Sequence, residues 1–284
     1  MAIVKLGVLN DPHIVAEVSD YSDWFDDALQ ECGPSQVDCD HIWVLGDNIS
    51  NFKTYTTWSD DIYDDYYEFT RLLNNYRTFT KQCCPGNHDI WKDVYQKFLG
   101  PTCSVKIISG LRFIVIDTTP KNLRTPLWSR AMHEEQFGHV DQWVLDWLKE
   151  ELDSDTSIPT FIGCHHGLLP HTFGSEIYRL DTTCSVGHNY ALALNHKVVN
   201  ALIEDSNYNV VAVFQAHNGH AYHHPVYITQ NGVDYFFLKH GRMGGFGYDR
   251  ICWVYLDTTT PSNSRVYSRM ISTHADTQIK ALSW

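Results

Sequence analysis

Five short apolar runs in this 284-residue chain each end in a cluster of Asp, His or Asn side chains. The clusters are Asp11-Pro12-His13, Gly46-Asp47-Asn48, Pro85-Gly86-Asn87-His88-Asp89, Cys164-His165-His166 and His217-Asn218-Gly219-His220. Any one of them reads as an ordinary turn, because Gly, Asn and Asp favour turns. Their recurrence does not. In open α/β sheets the loops beyond the carboxyl ends of parallel strands converge on one edge and carry the ligand-binding residues. Chain topology alone can therefore bring together side chains more than two hundred positions apart.

The intervening sequence fits that frame. A strand over 4–9, a helix over 22–31 and a strand over 41–45 make a βαβ unit whose parallel strands are buried on both faces. Residues 51–65 are polar, acidic and aromatic without a clear period; they read as a loop or cap feeding a helix over 66–75. A third strand spans 79–84, and a short helix 91–99. Residues 105–109 and 112–117 form a hairpin about Gly110. After an irregular stretch, 121–137, an amphipathic helix covers 138–152 with Trp143, Trp147, Leu148 and Leu152 on its apolar stripe. A strand over 158–164, a helix over 196–205 and a strand over 210–214 follow. Strands at 235–239 and 252–256, with a third at 266–271, are expected in a second sheet. No repeat, low-complexity tract or linker interrupts the chain, so residues 1–284 are expected to form a single domain, with its motifs within about 4–240.

Composition narrows the function. Hydrophobic content of 43% and charged content of 19% are those of a soluble globular protein. A net charge of −13 argues against a nucleic-acid backbone as partner, and so against a nuclease; it leaves room for a small phosphate ester, because bound divalent metals reverse the local sign in one cleft. No apolar run is long enough for a membrane span, so no membrane partner is expected. The start lacks a basic n-region and leads straight into Asp11, so it reads as a first strand and not a signal peptide. Eight scattered Cys without paired CxxC motifs are expected as free thiols in a reducing cytoplasm.

The donor set mixes carboxylate, imidazole and amide and lacks the thiolates of structural zinc sites. Asp11, His13, Asp47, Asn87, His165, His217 and His220 offer seven ligands, too many for one small ion with an open position. They suit two metals about 3.5–4 Å apart, with the two oxygens of Asp47 as the natural bridge.

The series Asp-x-His, Gly-Asp, Gly-Asn-His-Asp, His-His and Gly-His-x-His resembles the signature of the calcineurin-like metallophosphoesterases. Asp141-Gln142-Trp143-Val144-Leu145-Asp146-Trp147-Leu148 is similar to the Asp-Gln-x-x-Trp-Leu segment of the branch that holds cyclic nucleotide, glycerophosphodiester and ADP-ribose-type phosphohydrolases. The resemblance implies an α/β fold, a two-sheet β-sandwich flanked by helices in αββα layers. It implies two divalent transition metals, with Mn, Fe or Zn foremost. Asp11, His13, Asp47 and His220 would hold one; Asp47, Asn87, His165 and His217 would hold the other. His88 would contact the phosphate or protonate the leaving group, while a metal-bridging hydroxide attacks phosphorus in line. Read from the residues themselves, Asp89 supports the His88 ring or caps the next helix, Asn48 is expected at substrate, and His166 is expected at substrate, behind the ligand His165 or in simple packing.

Two departures stand out. In Ala216-His217-Asn218-Gly219-His220 the two His are three apart instead of two. Either a bulge presents His217 and His220, or Gly219-His220 is the true Gly-His pair and Tyr222 or His223 fills the last slot. Gly167 replaces the Pro that often follows His-His, which would loosen that loop. His41, His133, His139, His171, His188, His196 and His274 read as packed or surface residues. His223, His224 and His240 lie near the site in sequence and are open between cleft lining and packing, and Arg242 among its glycines reads as a turn between strands. The expected function is hydrolysis of a small phosphodiester. A phosphomonoesterase is one alternative, and a catalytically silent scaffold of the same fold that binds a partner protein is another. Oligomeric state is not specified.

Overall fold

The computed structural model describes residues 2–16, 19–50, 60–89, 91–119, 138–169, 171–173, 176–178, 192–217, 225–238 and 250–284. The irregular stretches before 60 and before 138, the residues His220, Tyr222, His223, His224 and His240, and the glycine-rich segment around Arg242 lie outside these.

The order of elements is β1 (Ile3–Leu9), α1 (Ser19–Glu31), β2 (His41–Leu45), α2 (Asp60–Asn75), β3 (Thr80–Cys84), α3 (Lys92–Leu99), β4 (Ser104–Ile108) and β5 (Leu111–Ile116). It continues with α4 (Gln142–Ser154), β6 (Thr160–Cys164), β7 (His171–Phe173), β8 (Glu176–Tyr178), α5 (His196–Ile203), β9 (Val210–Gln215), β10 (Val226–Gln230), β11 (Val233–Phe237), β12 (Arg250–Asp257), β13 (Arg265–Met270) and β14 (Ala275–Ala281). One six-stranded sheet runs β14-β13-β12-β1-β2-β3; a second runs β10-β11-β9-β6-β5-β4; β7 and β8 form a separate pair. Strands β1, β2 and β3 are parallel, as are β5, β6, β9 and β11.

The period of two along each strand builds the layers. Leu6, Val8, Trp43 and Leu45 from the first sheet face Phe113, Val115, Phe161 and Phe214 from the second, and this is the inter-sheet core. The alternate residues Leu9, Ile42 and Val44 pack under Phe25, Leu29, Tyr66 and Phe69 of α1 and α2. On the far side Ile114, Ile116 and Ile162 pack under Val144, Leu148 and Leu152 of α4 and Val199 of α5. The result is helix, sheet, sheet, helix, the αββα order expected from the sequence.

Three expectations are corrected. Strands β12 and β13 join the first sheet, where β12 pairs antiparallel with β1; of the C-terminal strands named from the sequence, the one expected at 235–239 is β11 (Val233–Phe237) and lies in the second sheet. Trp143 is 45% exposed, because α4 starts at Gln142 and its buried stripe falls on Val144, Leu145, Leu148 and Leu152. Helix α2 begins six residues earlier than its apolar period indicates.

Candidate metal centre

The loops after β1, β2, β3, β6 and β9 meet at one edge of the sandwich. Those after β1 and β2 are joined main chain to main chain: Asp11 N donates to Gly46 O (3.2 Å), His13 N to Asp47 O (2.8 Å), Ile14 N to Asn48 O (3.1 Å) and Ser50 N to Ile14 O (2.9 Å). These bonds hold Asp11 (φ 51°), His13 (φ 49°) and Asp47 (φ 48°) in the left-handed region, and His217 (φ 61°) shares it. Asp and His visit that region more readily than most residues, yet each instance stores strain of order 1–3 kcal/mol and persists only where surroundings over-determine it. Gly86 allows the β3 turn to close on Asp47: a Cβ there would lie 2.3 Å from both Asp47 N and Asp47 Oδ1. His88 N donates to that same Oδ1 at 2.8 Å.

Asp11, His13, Asp47, His165 and His166 are buried, whereas Asn87, His88 and His217 are partly exposed and form the open side. His165 Nδ1 lies 3.0 Å from Leu45 O. A carbonyl only accepts, so Nδ1 carries hydrogen and Nε2 faces the cluster. Nε2 is 3.0 Å from Asn87 Oδ1, 2.9 Å from His217 Nδ1 and 3.4 Å from Asp47 Oδ2. His13 Nε2 is 3.5 Å from the same Asp47 oxygen, and Asp11 Oδ1 is 3.8 Å from His165 Nδ1. The ligand atoms of Asp11, Asp47 and His165 lie within 4.8 Å of one another, as do those of His13, Asp47 and His88 and those of His165, His166 and His217. Converging oxygen and nitrogen lone pairs of this kind fit divalent transition cations, whose bonds to such atoms are about 2.0–2.2 Å long. Asp47 belongs to two of the groups, as a bridging carboxylate requires.

The clustered side chains shift one another's protonation. Burial opposes charge on His165, but the Asp47 carboxylate 3.4 Å away, Asp11 and the Leu45 carbonyl outweigh it and push the imidazole up to about 9. Burial likewise opposes the Asp47 charge, and the imidazoles of His165, His88 and His13 together hold its carboxyl well below the usual range.

Asp89 does not cap α3, whose N-cap is Trp91. Its Oδ2 accepts from Gly86 N (2.9 Å), Asn48 N (3.0 Å) and Asn48 Nδ2 (2.9 Å), and its Oδ1 from Tyr66 OH (2.9 Å). Asn48, expected at substrate, is fully buried and also donates Nδ2 to Cys84 O at 3.0 Å. Both residues brace the second cluster against the third. The His-His loop is pinned despite Gly167: Gly167 O accepts from Ala193 N (2.8 Å), Leu168 N donates to Gln215 Oε1, and Leu168 O accepts from Asn200 Nδ2 (2.6 Å). Tyr66, Thr118, Gln215 and Asn200 carry no local pattern that marks them in sequence; each acts across at least 23 positions. His220 lies outside the described residues, so its place in the site rests on the sequence.

Two mixed sheets between helices, with Asp, Asn and His gathered at the strand ends, define an α/β protein with a candidate metal centre. The family model for calcineurin-like phosphoesterases matches residues 4–253, and the chain belongs to that family. TT1561 of Thermus thermophilus is similar in fold, with a TM-score of 0.50 at 11% identity over 98% of each chain. An archaeal phosphodiesterase gives 0.40 at 12% identity over 97% of this chain and 99% of its own. A predicted phosphoesterase from Streptococcus pneumoniae gives 0.38 at 10% identity over 98% and 99%. No curated relative matches. No helix among the described residues is long and apolar enough to cross a membrane.

Proposed function

We propose that this chain is a dinuclear metal-dependent phosphoesterase that hydrolyses a small phosphodiester. The observation that carries the reading is the convergence of Asp47 Oδ2, Asn87 Oδ1 and His217 Nδ1 on His165 Nε2 at 2.9–3.4 Å. Asp11, His13, Asp47 and His220 would hold one ion, and Asp47, Asn87, His165 and His217 the other. Bound there, divalent metals lower the pKa of water and neutralise charge on a phosphoryl group.

The chain's own residues supply the rest. Asp11 and Asp47, on strained turns clamped to each other, supply the carboxylates that would bind cations. His88 stands partly exposed on the open side, its main chain tied to Asp47 and its ring edge-on to that of His13 at 4.8 Å. From there it meets the phosphate or gives a proton to the leaving oxygen. Asp89 and Asn48 act as positioning residues that fix the turn bearing Asn87 and His88. The charge of −13 favours a small soluble ester over nucleic acid. The seven described cysteines, all free thiols, suit a cytoplasmic setting, and we treat residues 1–284 as one domain.

Metal analysis of the purified protein, with assays on p-nitrophenyl phosphate and its bis-ester before and after chelation and Mn²⁺ add-back, tests the reading. About two metals per chain with chelator-sensitive cleavage of the bis-ester are expected. Preference for the monoester would make it a phosphomonoesterase. Neither metal nor turnover after add-back would overturn the proposal in favour of a silent scaffold.

A further inference from the structure

Substrate contact is one of the roles the sequence leaves open for His166; the structure groups it with His165 and His217 in a cluster that could hold an ion. The residue is 0% exposed, whereas Asn87, His88 and His217 reach the open side. Its ring centroid lies 4.9 Å from that of His165 and 4.6 Å from that of His217, which are themselves 4.7 Å apart. Three imidazoles thus meet at nearly equal separations, with one nitrogen of each inside a 4.8 Å group.

The ring is also held as metal-bound imidazoles are held. Thr118, just beyond β5, lies with Oγ1 3.0 Å from His166 Nδ1 and accepts from His166 N at 2.9 Å. With hydrogen on Nδ1, that oxygen can accept from both the ring and the main chain, and Nε2 would then carry the lone pair that a ligand needs. His165 is fixed in the same sense by Leu45 O, and ligating histidines as a rule donate their second N–H in this way. The chain leaves room for the ring at Gly138, where a Cβ would fall 2.5 Å from His166 Cβ and Cγ.

We propose that His166 is a ligand of the second ion, which then sits against a face of three imidazoles (His165, His166 and His217) beside Asp47 and Asn87. Imidazole suits Zn, Ni and Co better than Mn, so this site would favour the later divalent metals. The inference rests on the dinuclear reading and adds a residue to it.

Cobalt(II) titration of metal-free protein, followed by visible absorption and by competition with a chelator, tests it. Wild type should take two ions. His166→Gln should keep the first at wild-type affinity and bind the second more than about a hundredfold more weakly, with an altered spectrum. Thr118→Val, which retains the imidazole, should weaken the second ion about 10–100-fold. Two ions at wild-type affinity with a wild-type spectrum in His166→Gln would overturn the proposal, even if KM rose, which would return His166 to substrate. If His166→Gln does not fold, an unchanged second affinity in Thr118→Val overturns it. Wild type that takes no cobalt would instead sink the dinuclear reading, and this inference with it.

Discussion

At the scale of the residue, the site is a contest between burial and charge, and Asp47 decides it. Burial alone would lower the pKa of His165; the Asp47 carboxylate is the first influence that raises it, to about 9. In metal-free Asp47→Asn the His165 resonance should therefore titrate well below 9, and an NMR titration that left it near 9 would refute this account. The same proton competes with a cation for Nε2. Affinity for the metal should fall about tenfold per pH unit as pH drops below 9, reaching a plateau above it, which isothermal titration at several pH values measures. His88→Ala should retain both metals while the rate falls by about 10²–10⁴. Loss of metal from that variant would mean that His88 is itself a ligand, as its grouping with His13 and Asp47 allows.

At the scale of the element, helix α2 and strand β3 hold the site through contacts with no counterpart in local sequence. Tyr66 reaches from α2 to Asp89, and Asp89 in turn holds Gly86 and Asn48. Tyr66→Phe leaves a buried carboxylate short of one donor. It should lower stability by about 1–3 kcal/mol in chemical denaturation. Pairing of β2 with β3 carries a second liability. His41 is 0% exposed, and burial lowers its pKa from 6.5 to about 4, opposed only in part by Gln82. Above pH 6.5 the ring is neutral in both folded and unfolded chains. As pH falls from 6.5 to 4, the unfolded chain takes up a proton that the folded one refuses, and stability drops by about 3 kcal/mol. Asp89, raised to about 6, acts in the opposite sense over part of this range. The His41 contribution is therefore read as the difference in unfolding free energy between wild type and His41→Gln, which should change by about that amount from pH 6.5 to 4.

At the scale of the whole molecule, the candidate ligands divide between the two sheets. Asp11, Asp47 and Asn87 follow strands of the first, His165 and His217 strands of the second. A bound ion would therefore tie the sheets together at one edge. Ions present at a thousand times Kd add about 4 kcal/mol. At roughly 2–4 °C per kcal/mol, chelation should lower the thermal midpoint by on the order of 10 °C. An unchanged midpoint in calorimetry would show that no ion spans the sheets.

The layers and the edge at which chemistry gathers were legible in the chain because strand period, turn residues and parallel topology are local or regular signals. Apolar runs ending at Asp11, Asp47, Asn87, His165 and His217 imply a shared edge before any coordinate is known. Sheet membership of β12 and β13 was not legible, because an antiparallel strand pairs with whichever edge the fold leaves open, and here that edge is β1. The exposure of Trp143 was not legible either, since an aromatic residue one position off a helical stripe still looks periodic. Nor were the braces Tyr66 to Asp89 and Thr118 to His166, which join side chains 23 and 48 positions apart. Sequence by itself thus determined which residue types reach the site and from which strand ends. Only the tertiary structure decided which of them are buried, which face the opening and which hold another in place, because those roles depend on distances between side chains that no spacing along the chain encodes.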